Sequence, residues 1–417
     1  MTSTRIASLS DDRFPAPRIS GRTTLALLAI VLLGGMYAIL PLTGIVDEGA
    51  HGGQILSWIR GEAPHDFGIT TPLWLHRVLA TLGDWSGAES YAGLRPWILL
   101  IALFGWWQAW RLACAIHPDP GLARIRLLQF VCLPIALPYT FLIYTDLPAL
   151  AALLAAFAAT QRGKHAAATG WFGVAMLVRQ QNIAWAFVAG ARRAWTRWRE
   201  SRSLPALISD PALWLYALLG LGFLAFVIDN GGVALGEDRH RHVPGLHRGN
   251  VQALWLLASV MLLPLVIARW RDAVNALRMR RWEGWFALAV TLLFMHSMPA
   301  EHPYNQFELE VFLRNRVLLW LQEPLHRWWL APPLLFSVAA LCTLRLRGGW
   351  SGWIALGSVS VLAPAELIDH RYTIPVFALV LLLREPLAPR VEWCLLAWLG
   401  TLGALALFVH ANLITLF

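Results

Sequence analysis

Two adjacent acids, a histidine and a glutamine fall close together as Asp47-Glu48-x-x-His51-x-x-Gln54, directly after the first long apolar run. A carboxylate can take a proton from an attacking hydroxyl, and a second acid beside it can orient hydroxyl groups. Polar groups at the mouth of a bilayer are costly, so such a concentration marks a site by default. Similar interruptions recur at Asp66, Tyr144-Thr145-Asp146, Arg179-Gln180-Gln181-Asn182, the loop 229–250 and Asp369-His370-Arg371-Tyr372. Any one of them reads equally well as a solvated turn. Arg179 and Asn182, however, break otherwise continuous apolar sequence, where a charge usually faces a cavity or a partner.

Arginine grips phosphate with a planar, permanently charged fork of donors. Acids and arginines gathered at one membrane surface therefore suit a lipid whose polar headgroup carries a phosphate. The histidine-rich stretch 236–247 offers a rival reading as a metal site, completed by His51 or His302. Arg239, Arg241 and Arg248 stand among those histidines and would repel a cation, and the spacing matches no standard zinc site. No metal and no cofactor is expected.

The elements that must position these groups follow from composition. Of 417 residues, 57% are hydrophobic and 14% charged, with a mean hydropathy of +0.54; this is the profile of an all-α polytopic membrane protein. A cytoplasmic tail over 1–22 and a single transmembrane domain over 23–417 are expected, with about 13 spans of roughly 20 residues. Outer loops fall at about 43–94, 229–250, 300–328 and 365–373, and the first and fifth outer loops each hold an interfacial helix, the former near 73–82. The third span, near 127–143, should be kinked by Pro134 and Pro138. Two short spans should flank Arg179-Gln180-Gln181-Asn182.

With this topology about 23 basic and 9 acidic residues lie on one side, against about 11 and 16 on the other, so the basic side is cytoplasmic. The net charge of +9 is thereby explained by positive-inside asymmetry, and no nucleic-acid partner is expected. Cys114, Cys132, Cys342 and Cys394 lie singly in apolar segments and read as core residues. Every polar group named above falls on the outer side.

Taken in order, these motifs resemble the dolichyl-phosphate-glucose α-1,2-glucosyltransferase family. The resemblance runs through Asp47-Glu48-x-x-His51-x-x-Gln54, Ile69-Thr70-Thr71-Pro72, Tyr144-Thr145-Asp146, Arg179-Gln180-x-Asn182-Ile183-x-Trp185, Gly236-x-Asp238-Arg239-x-x-His242-x-x-x-Leu246-His247 and Arg371-Tyr372-x-x-Pro375. Family members add the last glucose to a lipid-linked glycan precursor. The likeness implies a GT-C fold and a metal-independent, inverting transferase moving a hexose from a polyprenyl monophosphate to a glycan or lipid-linked acceptor hydroxyl on the non-cytoplasmic face. Asp47 would be the general base and Glu48 its orienting neighbour, or the reverse. Arg179, Arg371 and Arg239 would bind the donor phosphate. His51, Gln54, Thr70, Thr71, Asp146, Gln180, Asn182, Asp238, His242, His247 and Tyr372 would shape the sugar and acceptor pocket.

Compact spans almost free of lysine suggest a bacterial relative, with its site facing the periplasm; a eukaryotic chain would face the ER lumen. A transporter or flippase of a lipid-linked sugar would use similar residues. It would hold them near the bilayer midplane, whereas here they crowd one face.

Overall fold

The computed structural model describes residues 19–42, 44, 47–62, 68–236, 245–306 and 312–412. Asp66, Asp238, Arg239 and His242 lie outside the described residues. Within them the chain is helical, and the sole β pairing is one isolated bridge between Leu346 and Arg384. Among the described residues, four helices are long and apolar enough to cross a membrane: Gly21–Ile39, Tyr91–Ile116, Pro211–Asn230 and Pro389–Ala411. Shorter apolar helices include Asp146–Gln161, His165–Val178, Gly249–Met261 and Ser351–Leu362. The protein is an all-α polytopic membrane protein.

Local chemistry explains where helices begin. Ser20, Ser90, Asp119 and Asp210 each accept a backbone N–H of the following first turn, and Pro120 and Pro211 begin their helices, where no N–H is needed. The alanine-rich helix Asp146–Gln161 is buried nearly all round, between Tyr91–Ile116 and His165–Val178. Its small side chains allow close backbone approach: a Cβ at Gly105 would lie 3.1 Å from Ala151.

Fewer helices reach spanning length than the thirteen expected, because several apolar runs are interrupted. The third run does not bend but breaks. Pro120–Val131 ends at Cys132, and the chain proceeds through turns and a short 3₁₀ segment, Pro138–Thr140. Pro134 and Pro138 lack the N–H that a continuous helix requires. Ahead of Pro264, Gly249–Met261 likewise gives way to a separate helix, Leu263–Ala268. The segment 43–94, expected as the first outer loop with one interfacial helix, carries two helices, Asp47–Ile59 and Trp74–Ser86. The segment 300–328, expected as an outer loop with an interfacial helix, holds Leu313–Trp320.

Two polar clusters occupy opposite ends of the bundle. At one, the Glu392 carboxylate accepts from Arg126 (2.8 and 3.1 Å), Arg384 (2.9 and 2.5 Å) and Gln129 (3.0 Å), all fully buried. At the other, His410 packs against Tyr139, with ring centroids 6.2 Å apart. Glu392 and His410 lie on the same helix, Pro389–Ala411, and a rise of 1.5 Å per residue separates them by roughly 27 Å, close to the thickness of a hydrocarbon core. Similarly, Ile374–Leu383 starts beside Arg371 and ends at Arg384. The helices thus deliver distant residues to two polar ends, and the Tyr139 end holds the site.

Candidate active site

Asp47 and Glu48 open the helix Asp47–Ile59, where negative charge is favoured by the exposed N–H groups of the first turn. Neighbouring residues on a helix project about 100° apart, so two adjacent acids cannot share one environment. Glu48 points inward and is fully buried. Its carboxylate accepts from Nε (3.0 Å) and Nη2 (2.7 Å) of Arg95 and from the backbone N–H of Ile143 (2.9 Å). The same guanidinium donates to the carbonyls of Ile39, Leu40 and Leu42 at 2.8–3.1 Å. Glu48 and Arg95 therefore tie together the end of the first helix, the Asp47 helix and the 142–145 turn.

Asp47 projects to the rim, with its side chain 44% exposed. Its Oδ2 lies 2.5 Å from Nη1 of Arg371. Arg371 is held from behind by Asp369, whose fully buried carboxylate accepts from Nε (2.7 Å), Nη2 (2.5 Å) and the backbone N–H of Arg371 (2.9 Å). Arg314 adds a second cation 3.4 Å from Asp369. Burial alone would raise the Asp369 pKa, but Arg371, the His370 hydrogen bond and Arg314 hold it well below the usual carboxylate range. Asp369 is therefore a permanent anion that aims the Arg371 fork at Asp47.

The backbone carrying Asp369 is pinned by two fully buried asparagines. Asn250 donates to the carbonyls of Ala365 (2.9 Å) and Leu367 (2.8 Å) and accepts the N–H of Asp369 (3.0 Å). Asn305 both donates to and accepts from the backbone of Ile368, at 3.0 Å each way. A loop bonded this completely gives Arg371 a fixed origin.

Arg179 forms an ion pair with Asp146 and lies over the Tyr372 ring (5.5 Å), as Arg371 lies over Tyr144 (5.5 Å). Both arginines are thus oriented by aromatic faces and opposed carboxylates. Among the described residues, Asp47, Asp369 and Asp146 balance the charges of Arg371, Arg314 and Arg179.

His51 lies one turn beyond Asp47 and is largely buried, with Nδ1 2.8 Å from Nε2 of His76. Burial first, then the charges of Arg371 and Arg179, pull its pKa down to about 3, and burial pushes His76 down as well. Both rings are neutral at ordinary pH. Gln54, on the same helix, is buried. Gly52 permits this packing, because a Cβ there would come within 2.4 Å of the Tyr91 ring.

Other expected pocket residues fasten the frame. Gln180 donates to the carbonyls of Thr70 (2.8 Å) and Val233 (3.1 Å), and the N–H of Leu235 reaches Thr70 as well (3.1 Å). Asn182 donates to Ala175 and Arg179 carbonyls. Thr71 is partly buried, and its hydroxyl has no partner among the described residues. His247 lines a surface cavity with Arg248, Glu301 and Glu366, which Asp47, Arg371 and Arg179 do not line. Among the described residues, no group of three or more His, Cys, Asp or Glu could hold a metal ion.

Sequence reasoning missed Arg95, His76, Arg314 and Asn250 altogether and left Asp369 without a role. Asp369 is the one with a signal, since an acid two residues before an arginine can grip it from the same turn. The others depend on contacts between residues 25 to 119 positions apart.

An all-helical membrane protein with arginines and carboxylates converging at one end of its bundle is equipped to hold an anionic headgroup beside a proton acceptor. A family match spans residues 44–206 and 202–382, and the chain belongs to the DIE2/ALG10 family. It is 24% identical over 272 residues to the Drosophila melanogaster Dol-P-Glc:Glc(2)Man(9)GlcNAc(2)-PP-Dol alpha-1,2-glucosyltransferase, covering 56% of this chain and 59% of that one. To the Arabidopsis thaliana protein of the same name it is 26% identical over 181 residues, or 39% of this chain and 34% of the other. The chain thus spans less than two thirds of the length of either relative. The crystal structure of ArnT from Cupriavidus metallidurans bound to undecaprenyl phosphate is a structural match with a TM-score of 0.43 and 12% identity, covering 95% of this chain and 77% of that one.

Proposed function

We propose that this protein is an inverting, GT-C-type glycosyltransferase that moves glucose from a polyprenyl monophosphate to a hydroxyl of a glycan or lipid-linked acceptor on the non-cytoplasmic face. The observation that carries the reading is the half-exposed Asp47 carboxylate bonded to Arg371, whose other edge is occupied by the buried anion Asp369. Family membership and the names of the relatives support glucose and a dolichol-type donor.

In this reading Asp47 is the general base, and Glu48 is left as an anchor because both its oxygens are engaged. The donor phosphate binds Arg371 and Arg179, displacing Asp47 from its arginine. The freed carboxylate then takes the acceptor hydroxyl proton while the acceptor oxygen bonds to the anomeric carbon. The bond from that carbon to the phosphate oxygen breaks, and its electron pair leaves with the polyprenyl phosphate. One displacement from the face opposite the leaving group inverts the configuration. The arginines stabilise the departing charge, which matters more than acid assistance for a leaving group of this kind.

The test uses purified protein in liposomes with radiolabelled glucose on a polyprenyl monophosphate and a membrane glycolipid extract as acceptor. Label is expected in the acceptor, with the new linkage opposite in configuration to the donor. Absence of transfer from every polyprenyl-phosphate hexose refutes the reading.

A further inference from the structure

Among the buried titratable groups, His76 has no part in the mechanism above, yet it makes one hydrogen bond that bears directly on the site. Its Nε2 lies 2.8 Å from Nδ1 of His51, and its own Nδ1 is buried with no hydrogen-bond partner among the described residues. Two neutral imidazoles share one proton in such a contact, and two arrangements are available. If His51 donates, His76 must carry its own proton on Nδ1, leaving a buried N–H with no acceptor among the described residues. If His76 donates, its Nδ1 is a bare lone pair, and His51 carries its proton on Nε2. Orphaned buried N–H groups are the rarer of the two, so the second arrangement is preferred.

We propose that His76 is a positioning residue: it donates to Nδ1 of His51 and thereby makes Nε2–H of His51 a fixed, neutral donor to an oxygen of the donor sugar or its phosphate beside Asp47. This rests on the glycosyltransferase reading given above. Three placements support it. His51 is four residues from Asp47 and so shares its helix face. Its ring meets the edge of Tyr144 at 5.9 Å, and Arg371 lies over that same Tyr144 ring. Burial first, and then the charges of Arg371 and Arg179, the two arginines assigned to the phosphate, lower its proton affinity. A neutral donor here can bind an oxygen without adding a cation that would compete for Asp47. The partner that orients a functional histidine sets which of its nitrogens carries the proton.

The experiment compares His76→Gln with His76→Glu, two side chains of nearly equal size. Glutamine can still donate to Nδ1 of His51; glutamate can only accept from it and favours the His51 cation. The other charged and titratable groups around His51 are Asp47 and Glu48 on its own helix, Tyr144, Tyr91 near Gly52, Arg179 and Arg371. The readouts are kcat and KM for radiolabelled polyprenyl-phosphate glucose from pH 5.5 to 8, with the thermal midpoint of each variant. His76→Gln is expected to keep kcat/KM within about fivefold of wild type, whereas His76→Glu loses about 10–100-fold, as when an orienting partner is removed. The glutamate variant should also acquire an acidic limb in its profile that the wild type lacks. Equal activity and equal pH profiles for the two variants overturn the proposal, because a merely space-filling role cannot tell them apart. If wild type itself transfers no hexose, the glycosyltransferase reading fails and takes this role with it.

Discussion

Replacing Glu48 by glutamine preserves its shape and removes its charge, so it asks whether this acid is an anchor or a catalyst. Glu48 and Arg95 are both at most 1% exposed, and each Glu48 oxygen accepts from the Arg95 guanidinium. Removing one partner strands a buried cation, at a cost of about 3–5 kcal/mol. Unfolding entropy of about 2.1 cal/mol/K per residue amounts to about 0.9 kcal/mol/K for this chain, so the midpoint should fall by about 3–6 °C. Asp47→Asn removes a rim charge from a half-exposed pair, worth about 1 kcal/mol or less, and should move the midpoint by about 1 °C. Intrinsic tryptophan fluorescence of the detergent-solubilised protein measures both. An unchanged midpoint for Glu48→Gln, or a fall of several degrees for Asp47→Asn, refutes the division of labour between these acids.

Arg371→Lys keeps the charge but loses the fork that engages Asp369 and Asp47 together, so transfer should fall by about 100-fold while the midpoint changes little; unchanged KM and kcat for the donor would contradict this. Asn305→Ala leaves both backbone groups of Ile368 unpaired and should cost about 2–4 kcal/mol, measured as a lowered thermal midpoint, with transfer reduced because Asp369 and Arg371 shift. Stability should also fall on acidification. The folded His51 pKa, about 3, lies below the unfolded value near 6.5, so between those limits the unfolded state gains a proton that the folded state does not. That group alone contributes a loss of up to about 1.4 kcal/mol per pH unit below 6.5, and His51→Asn should flatten the dependence of the midpoint on pH.

Much of this organisation is legible in the sequence, for identifiable reasons. Long apolar runs announce membrane helices through length and composition, and costly polar residues announce a site wherever they interrupt those runs. Asp47, His51, Asp146, Arg179, Gln180, Arg371 and Tyr372 all gather at one end of the bundle, and Gln180 meets Thr70 across 110 residues. What stays hidden is which partner each group finds. Nothing in Asp47-Glu48 says which acid turns inward, because that depends on Arg95, 47 residues away. His76 lies in an amphipathic stretch that reads as an interfacial helix, with no mark of its pairing to His51. The broken helix at 132–138 shows a different limit. Two prolines four residues apart signal a disruption, but local sequence does not distinguish a kink from a complete break when neighbouring helices must satisfy the freed backbone groups.

The central claim is that Asp47 takes the acceptor proton beside a phosphate held by Arg371 and Arg179. Its most direct test is sugar transfer by Asp47→Asn, with binding of polyprenyl phosphate to the same preparation measured alongside. The account predicts transfer reduced by about 10²–10⁴-fold while the lipid phosphate still binds, since asparagine can neither accept the proton nor compete for the arginine. Transfer at the wild-type rate, with the lipid still bound, would contradict it.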